Sequence, residues 1–276
     1  MAQPGHRVTD LEARGLSVGY GSREVLHGLD CPVPDGVVTA IVGANASGKS
    51  TLLRTMARLL KPSAGAVMLD GQAIASLPTR EVARRLGFLP QSPTAPEALT
   101  VEDLVGRGRF PHQRVGRRAS KEDRAAVDWA LGVTDTSVLR ERPVDQLSGG
   151  QRQRVWIAMA LAQDTPILLL DEPTTYLDLA HQLEVLDLLT SLNRERGRTV
   201  VMVLHDLNQA CRYADHLVAL RDGVVHAAGP PAEVVDAAMV QAVLGVGSRV
   251  IPDPVTGTPM VVPLPRDGAP RPGAPG

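Results

Sequence analysis

One stretch of the chain has the residue types and the spacing of a loop that wraps phosphate groups. It runs Gly43-Ala44-Asn45-Ala46-Ser47-Gly48-Lys49-Ser50 and fits the pattern G-x-x-x-x-G-K-[ST]. The glycines allow backbone N–H groups to curl around phosphate oxygens at a helix N-terminus, where the helix dipole also favours anions. Lys49 would place a charge on the β- and γ-phosphates, and the Ser50 hydroxyl suits Mg²⁺. Only three of the 29 basic residues are lysines, and a random match to the pattern has a chance of roughly 0.3%.

Two carboxylates follow an apolar run later in the chain. Ile167-Leu168-Leu169-Leu170 is typical of a strand buried on both faces, and Asp171 and Glu172 come at its C-terminal end. Asp171 is predicted to hold Mg²⁺ through its water shell, and Glu172 to orient or deprotonate an attacking water. An acidic pair alone usually marks no more than the end of a strand. The phosphate loop in the same chain favours the hydrolytic interpretation.

A third motif, Leu147-Ser148-Gly149-Gly150-Gln151, precedes a helix predicted from Arg152. One interpretation is a serine-capped helix start after a glycine turn, which most such pentapeptides are. The other is a second anion site, in which the Ser148 hydroxyl and the glycine N–H groups hold a γ-phosphate.

Strands that alternate with helices position these motifs and predict an α/β fold with a parallel sheet. Short strands with turns open the chain, and the segment from about 93 to 145 is polar, arginine-rich and helical, so we interpret it as an inserted subdomain. The residues after 263 are rich in proline and glycine, and 266–276 is predicted to be a disordered tail. The remaining predicted elements are strands over 11–18, 24–29, 37–42, 167–170 and 199–204, and helices over 49–60, 152–162 and 179–192.

Composition excludes several classes of protein. The 276 residues carry a formal net charge of -1, so no strong field favours nucleic acid or anionic membrane. Cys31 and Cys211 cannot form a disulfide framework or a four-ligand zinc site by themselves, and we expect both to be buried in a reducing compartment. We expect no signal peptide at the N-terminus, and no apolar run approaches the ~20 residues that a membrane span needs.

With its three motifs in this order, the chain resembles the ATP-binding cassette (ABC) ATPases over roughly 11–265. The resemblance implies a single ABC ATPase domain over 1–265: a P-loop NTPase core with a mostly parallel sheet, an N-terminal antiparallel β subdomain and an inserted helical subdomain over about 93–158. It implies ATP and Mg²⁺ as ligands. It also implies that two chains pair head to tail, each ATP lying between Lys49 of one subunit and Ser148 of the other.

The resemblance gives roles to further positions of this sequence. Tyr20 would stack on adenine, Gln91 would contact Mg²⁺ and relay to a membrane partner, Asp178 would contact the opposite subunit, and His205 would contact the γ-phosphate. The predicted catalytic residues are Lys49, Gln91, Glu172 and His205, and the predicted metal site is Ser50, Gln91 and Asp171. The predicted nucleotide-binding residues are Tyr20, Gly43, Asn45, Ser47, Gly48, Lys49, Ser50, Thr51, Ser148, Gly149, Gly150, Gln151 and Asp178.

Four segments narrow the resemblance to importers. Residues 100–113 are similar to the branch for ferric siderophores, haem and cobalamin, and residues 175–182, 205–210 and 250–259 are similar to its ferric-siderophore type. The resemblance thus implies an ATPase on the cytoplasmic face of a bacterial membrane, paired with a second ATPase subunit that is a second copy of the chain in the simplest arrangement. It also implies two transmembrane permease subunits as partners and, indirectly, an extracytoplasmic binding protein. Import of haem or cobalamin and a stand-alone exporter subunit are the alternatives. An ABC ATPase that acts on nucleic acid and a regulatory module without turnover are disfavoured, since the chain lacks a basic face and keeps Lys49, Glu172 and His205.

Two features depart from the family pattern or lie beyond its motifs. Ala44 and Ala46 stand where the family often has proline and glycine; neither removes a backbone N–H, but a need for positive φ at Ala46 would cost stability. A basic stretch over 107–124 is interpreted as a solvated helical face, with lipid headgroups or an acidic loop of a partner as the alternative.

Overall fold

The largest sheet of the computed structural model, which describes residues 10–113 and 119–265, is mainly parallel. Its strand order is β10-β9-β3-β8-β7-β6; every neighbouring pair from β9 to β6 is parallel, and β10 is antiparallel to β9. The strands are β1 (Leu11–Tyr20), β2 (Arg23–Val33), β3 (Val38–Gly43), β4 (Ala64–Leu69), β5 (Gln72–Ala73), β6 (Leu86–Leu89), β7 (Ile167–Asp171), β8 (Thr199–Val203), β9 (His216–Arg221), β10 (Val224–Gly229), β11 (Ser248–Pro252) and β12 (Pro259–Pro263).

Two smaller sheets accompany the central one. The first is antiparallel, with the order β2-β1-β4-β5, and the second is the hairpin β11-β12 near the C-terminus. The helices are α1 (Lys49–Met56), α2 (Thr79–Arg85), α3 (Val101–Arg107), α4 (Lys121–Val133), α5 (Gly149–Ala162), α6 (Leu179–Arg196), α7 (Leu207–Tyr213), α8 (Pro231–Val234) and α9 (Ala237–Leu244). The predicted fold class, with its mostly parallel sheet and N-terminal antiparallel sheet, is confirmed.

The apolar residues of β7 alternate between two cores. Leu168 and Leu170 belong to the core shared with α5 and α6, whereas Ile167 and Leu169 belong to the core between the central and the N-terminal sheets. Because both faces of the strand are covered, an uninterrupted apolar run is what this position requires. Helix α1 lies in the second core, where Leu52, Leu53 and Met56 are fully buried.

Three predicted helix boundaries are wrong; one of them is the end of α6, which lies at Arg196 instead of Leu192. Helix α1 ends at Met56 instead of Leu60, because Arg58 adopts a left-handed conformation (φ 60°) and the N–H groups of Leu59 and Leu60 both return to the carbonyl of Arg54. Helix α5 begins at Gly149, three residues before the predicted Arg152, since Ser148 and Gln151 cap its first turn reciprocally.

Helices α3, α4 and α5 follow β6 and pack on one another before the chain returns to β7. The basic stretch over 107–124 is not uniformly a solvated face: Arg109 is buried, donates to Asp123 at 3.1 Å and to the carbonyl of Ala162 at 2.8 Å. Arg114, Arg117 and Arg118 lie outside the described residues, as do the first nine residues and the predicted tail 266–276.

Both cysteines are buried, as predicted, at 2% exposure for Cys31 and 1% for Cys211. No helix within 10–113 and 119–265 has the length and apolar character that would carry it across a membrane.

Candidate functional site

The phosphate loop joins the end of β3 to the start of α1, and its two glycines stand where no side chain would fit. A Cβ at Gly43 (φ 155°) would lie 2.3 Å from the carbonyl oxygen of Leu220 on β9. A Cβ at Gly48 (φ 103°) would lie 2.6 Å from Leu26 Cδ2 on β2. The central and N-terminal sheets therefore hold the loop from both sides, and glycine is required by this close approach as well as by backbone conformation.

Ala46 adopts positive φ (63°) within the same loop, and Ala44 does not. Of the two departures from the family pattern, only the one at Ala46 therefore meets the condition that costs stability. An L-residue in this left-handed region is strained by about 1–2 kcal/mol, so the loop keeps its curl at a cost in stability.

Lys49 is almost fully buried beneath the loop. Its Nζ donates to the carbonyls of Gly43 and Ala44, each at 2.9 Å. Burial is the largest influence on its pKa and lowers it, while the charges of Glu172 and Asp171 act in the opposite direction. The ammonium group is thus held at the floor of the loop by neutral acceptors and has a third donor available for an anion.

Ser50 and Asp171 are brought together from α1 and β7. Ser50 Oγ donates to Asp171 Oδ1 at 2.8 Å. Asp171 is fully buried, and its Oδ2 has no hydrogen-bond partner among the described residues; Arg54 Nε lies 3.7 Å from that oxygen. Burial raises the pKa of this carboxyl group. A hydroxyl next to a buried carboxylate oxygen without a hydrogen bond is a donor set that fits a hard cation such as Mg²⁺.

Glu172 and His205 meet across the ends of β7 and β8. Glu172 Oε1 lies 2.7 Å from His205 Nε2, and Glu172 Oε2 accepts a 3.0 Å hydrogen bond from Thr175 Oγ1. Glu172 has a positive φ of 56° and is 7% exposed. Both carboxylate oxygens are therefore oriented by neighbours, on a strained backbone of the kind that clusters at active sites.

Most of these residues line one open cleft of about 690 Å³, a size typical of small-molecule sites, whereas Gly43 and Asp171 lie outside its lining. The loop residues Asn45, Ser47, Gly48, Lys49, Ser50 and Thr51 line its floor, and Gln91, Glu172 and His205 line one side. Ser47 Oγ is buried there, and no residue within 10–113 or 119–265 forms a hydrogen bond with it. Tyr20, half exposed, lies at the rim on the N-terminal sheet.

Arg23 also lines the cleft, although it was not among the residues predicted from the sequence. It is the cross-strand partner of Tyr20 in the β1-β2 hairpin. The signal was available in the sequence: Tyr20 and Arg23 flank a two-residue Gly-Ser turn, which places them opposite each other.

The remaining predicted residues do not line this cleft. Ser148 caps α5, with Oγ accepting from the Gln151 N–H at 3.3 Å while the Gln151 side chain accepts from the Ser148 N–H at 3.2 Å. Gly149 and Gly150 form the first turn of that helix. Asp178 caps α6 and contacts both the N–H and the ring of His181, which lowers the pKa of the Asp178 carboxyl group.

Comparison with known proteins agrees with the geometry. Residues 26–175 match the ABC transporter family model. The chain is 54% identical to the achromobactin transport ATP-binding protein CbrD of Dickeya dadantii, over 94% of this chain and 97% of that protein. It is 53% identical to the ferric enterobactin transport ATP-binding protein FepC of Escherichia coli, over 94% of this chain and 96% of that protein.

A solved structure has the same fold. The ATP-binding cassette MJ0796, a dimer in a post-hydrolysis state bound to ADP and Pi, superposes with a TM-score of 0.71 at 31% identity, over 80% of this chain and 98% of the other. The phosphate loop, the acidic strand end and the matched family model lead to one conclusion: the chain belongs to the ABC transporter family, as one of its ABC ATPases.

Proposed function

We propose that this chain is the ATP-hydrolysing subunit that powers a membrane permease importing an iron(III)-siderophore complex. The observation that carries the hydrolytic part is the position of Glu172, whose carboxylate is fixed by His205 and Thr175 at the side of a cleft with a phosphate loop at its floor.

The chain's own residues fit ATP. The N–H groups of the loop and Lys49 Nζ would bind the β- and γ-phosphates, and the buried, unpaired Ser47 hydroxyl is a further donor in the same place. Tyr20, at the rim, would stack on the adenine, and Thr51 extends the phosphate contacts at the start of α1.

Mg²⁺ fits beside Ser50 and Asp171. The Ser50 hydroxyl and Gln91 would be ligands and Asp171 would act through water, which would satisfy the Oδ2 atom that now lacks a partner. The ion, when bound, neutralises charge on the phosphate oxygens.

Hydrolysis adds water to the γ-phosphorus and releases ADP and phosphate. Glu172 would hold the attacking water and accept its proton on a carboxylate oxygen, a role worth about 10²–10⁴ in rate. His205 Nε2 orients that carboxylate and stands beside the γ-phosphate position. The carboxylate is oriented before the reaction, since Glu172 contacts one neighbour in the loop after β7 and one in the loop after β8.

The site is incomplete within one chain. At the start of α5, Ser148 and Gly149 are exposed and Gly150 and Gln151 are half-buried. These four residues and Asp178 lie outside the cleft that Lys49 lines. A second copy placed head to tail would bring its Ser148 and glycine N–H groups against the γ-phosphate and would bring Asp178 to the interface. Closure and reopening of that interface would drive the conformational change of the permease.

Iron(III)-siderophore complexes are proposed as cargo on the basis of the two relatives above, whose names specify achromobactin and ferric enterobactin. The sequence similarity of both relatives to this chain extends over nearly their full length. The proposal places the subunit on the cytoplasmic face of the membrane, with two permease subunits and an extracytoplasmic binding protein that determines the cargo.

The first experiment uses Glu172→Gln in the purified chain. Hydrolysis should fall by about 10²–10⁴ while ATP binding is retained, because the amide keeps the shape but cannot accept the proton. Glu195→Gln is the matched control, because Glu195 is exposed on α6 away from the cleft. Unchanged hydrolysis in Glu172→Gln would contradict the catalytic assignment.

The second experiment tests the cargo. Cells that carry Glu172→Gln in place of the native protein are supplied with radio-iron on a panel of siderophores. Loss of uptake for one siderophore class would support the importer and identify its cargo. Normal uptake of all of them, in a strain without a redundant importer, would contradict the siderophore assignment and leave haem, cobalamin or export.

A further inference from the structure

The side chain of Asn208 on α7 forms two hydrogen bonds with the backbone of the C-terminal hairpin β11-β12, as a neighbouring strand would. Asn208 Nδ2 donates to the Val261 carbonyl at 3.2 Å, and Asn208 Oδ1 accepts from the Val261 N–H at 2.7 Å. One amide thus satisfies both backbone groups of a residue in the middle of β12.

An ion pair fastens the same two elements one helical turn later. Arg212 on α7 donates to Asp253 Oδ2 at 2.6 Å, and Asp253 is 5% exposed. The other oxygen, Oδ1, accepts from the N–H groups of Val255 and Thr256 and so shapes the turn of the hairpin. Asn208 and Arg212 lie at i and i+4 and therefore share one face of α7.

Helix α7 is in turn coupled to the cleft. It begins immediately after His205 and its cap Asp206, whose Oδ1 accepts from the N–H groups of Asn208 and Gln209. A displacement of α7 would therefore change the 2.7 Å distance between His205 Nε2 and Glu172 Oε1.

We propose that the hairpin over 248–263 positions His205 through α7, and that Asn208, Arg212 and Asp253 are positioning residues for hydrolysis. This inference rests on the proposed function, because it assigns the hairpin an effect on the step that Glu172 and His205 carry out. The hairpin sets how often the His205–Glu172 contact is formed and leaves the phosphate loop untouched.

The test is Asp253→Asn in the full chain. The substitution removes the charge that pairs with Arg212 but keeps an amide oxygen for the N–H groups of Val255 and Thr256, so the turn is retained. We expect kcat for ATP to fall about threefold, the scale of one partly exposed ion pair, with KM unchanged. Asp236→Asn is the control. Asp236 caps helix α9, where its Oδ1 accepts from the Met239 N–H, so the substitution changes a cap of α9 and not of α7.

A second readout distinguishes positioning from a general loss of stability. In a His205→Ala background, Asp253→Asn should have no further effect on kcat, because the residue through which it acts is gone. Equal kcat in wild type and Asp253→Asn, or an equal loss with and without His205, would overturn the inference while leaving the ATPase assignment in place. Absence of hydrolysis in the wild-type chain itself would instead contradict the proposed function.

Discussion

The contact between Glu172 Oε1 and His205 Nε2, at 2.7 Å, joins the tips of two parallel strands. It arises from register: Asp171 at the end of β7 is opposite Val203 on β8, so the residues that follow each strand emerge side by side. The carboxyl ends of parallel strands form the crevice where ligands bind in such sheets. An acid and a histidine placed there can act on one bound molecule.

Replacing His205 with alanine should reduce kcat for ATP by about 10²–10³, the usual effect of removing one group that orients charge in a reaction. ATP affinity should change much less, since the loop and Lys49 remain intact. Single-turnover hydrolysis and nucleotide binding by the purified variant measure the two effects separately. His226→Ala is the control, because His226 is exposed on β10, away from the cleft. A kcat within twofold of wild type would show that the 2.7 Å contact does not serve hydrolysis.

Ala46→Gly should stabilise the protein. The change relieves about 1–2 kcal/mol of left-handed strain and restores about 0.4–1 kcal/mol of entropy to the unfolded chain, so the free energy of unfolding should rise by up to about 1.6 kcal/mol. Urea unfolding measures this difference. Ala44→Gly, two residues earlier and without positive φ, should be destabilising; if both changes act in the same direction, backbone strain at Ala46 is not the cause.

The two thiols should make stability fall at alkaline pH. Burial raises the pKa of Cys31 to about 12 and that of Cys211 to about 11, from 9.0 in the unfolded chain. Above pH 9 the unfolded thiols lose their protons and the native ones keep them, so the unfolded state binds fewer protons and the free energy of unfolding decreases with pH. The loss at pH 10 should be on the order of 1 kcal/mol per thiol.

Urea unfolding between pH 8 and pH 10.5 measures this slope. The double variant Cys31→Ala, Cys211→Ala should be less stable at pH 8, because it creates cavities, yet its stability should depend less on pH. Native protein at pH 8 should react with a thiol reagent only as fast as it unfolds. Rapid modification of folded protein would show that the thiols are accessible.

Local chemistry made some features predictable from sequence. The apolar runs that lead to Gly43 and Asp171 are typical of strands covered on both faces, and both form strands within one residue of the predicted bounds. The crevice could be predicted as well, because parallel order places the residues after successive strands together.

Other features depend on distant contacts and were not predictable. Leu59 continues the apolar spacing of α1, but it is 60% exposed beyond the left-handed turn at Arg58. Gly149 is a poor helix former, yet the Ser148–Gln151 cap starts α5 at it. The two hydrogen bonds between Asn208 and Val261 join segments that are far apart in the sequence, and no periodic pattern relates those segments.

Because Ser148 lies outside the cleft of its own chain, two different inactive variants should complement each other. Lys49→Ala removes the charge at the floor of the cleft, and Ser148→Arg blocks the exposed start of α5. In a head-to-tail pair of one chain of each kind, one of the two sites has an intact Lys49 and an intact Ser148. An equimolar mixture should therefore recover about a quarter of the wild-type hydrolysis, if pairs form at random, although each variant alone is inactive.

The matched control is a mixture of Lys49→Ala with Glu172→Gln. Both residues line the same cleft of the same chain, so each site in a mixed pair contains one defect and hydrolysis should not return. Recovery in the first mixture and not in the second requires that the start of α5 act on the nucleotide of another chain. Equal behaviour of the two mixtures would mean that Ser148 serves its own chain, and the head-to-tail arrangement would be wrong.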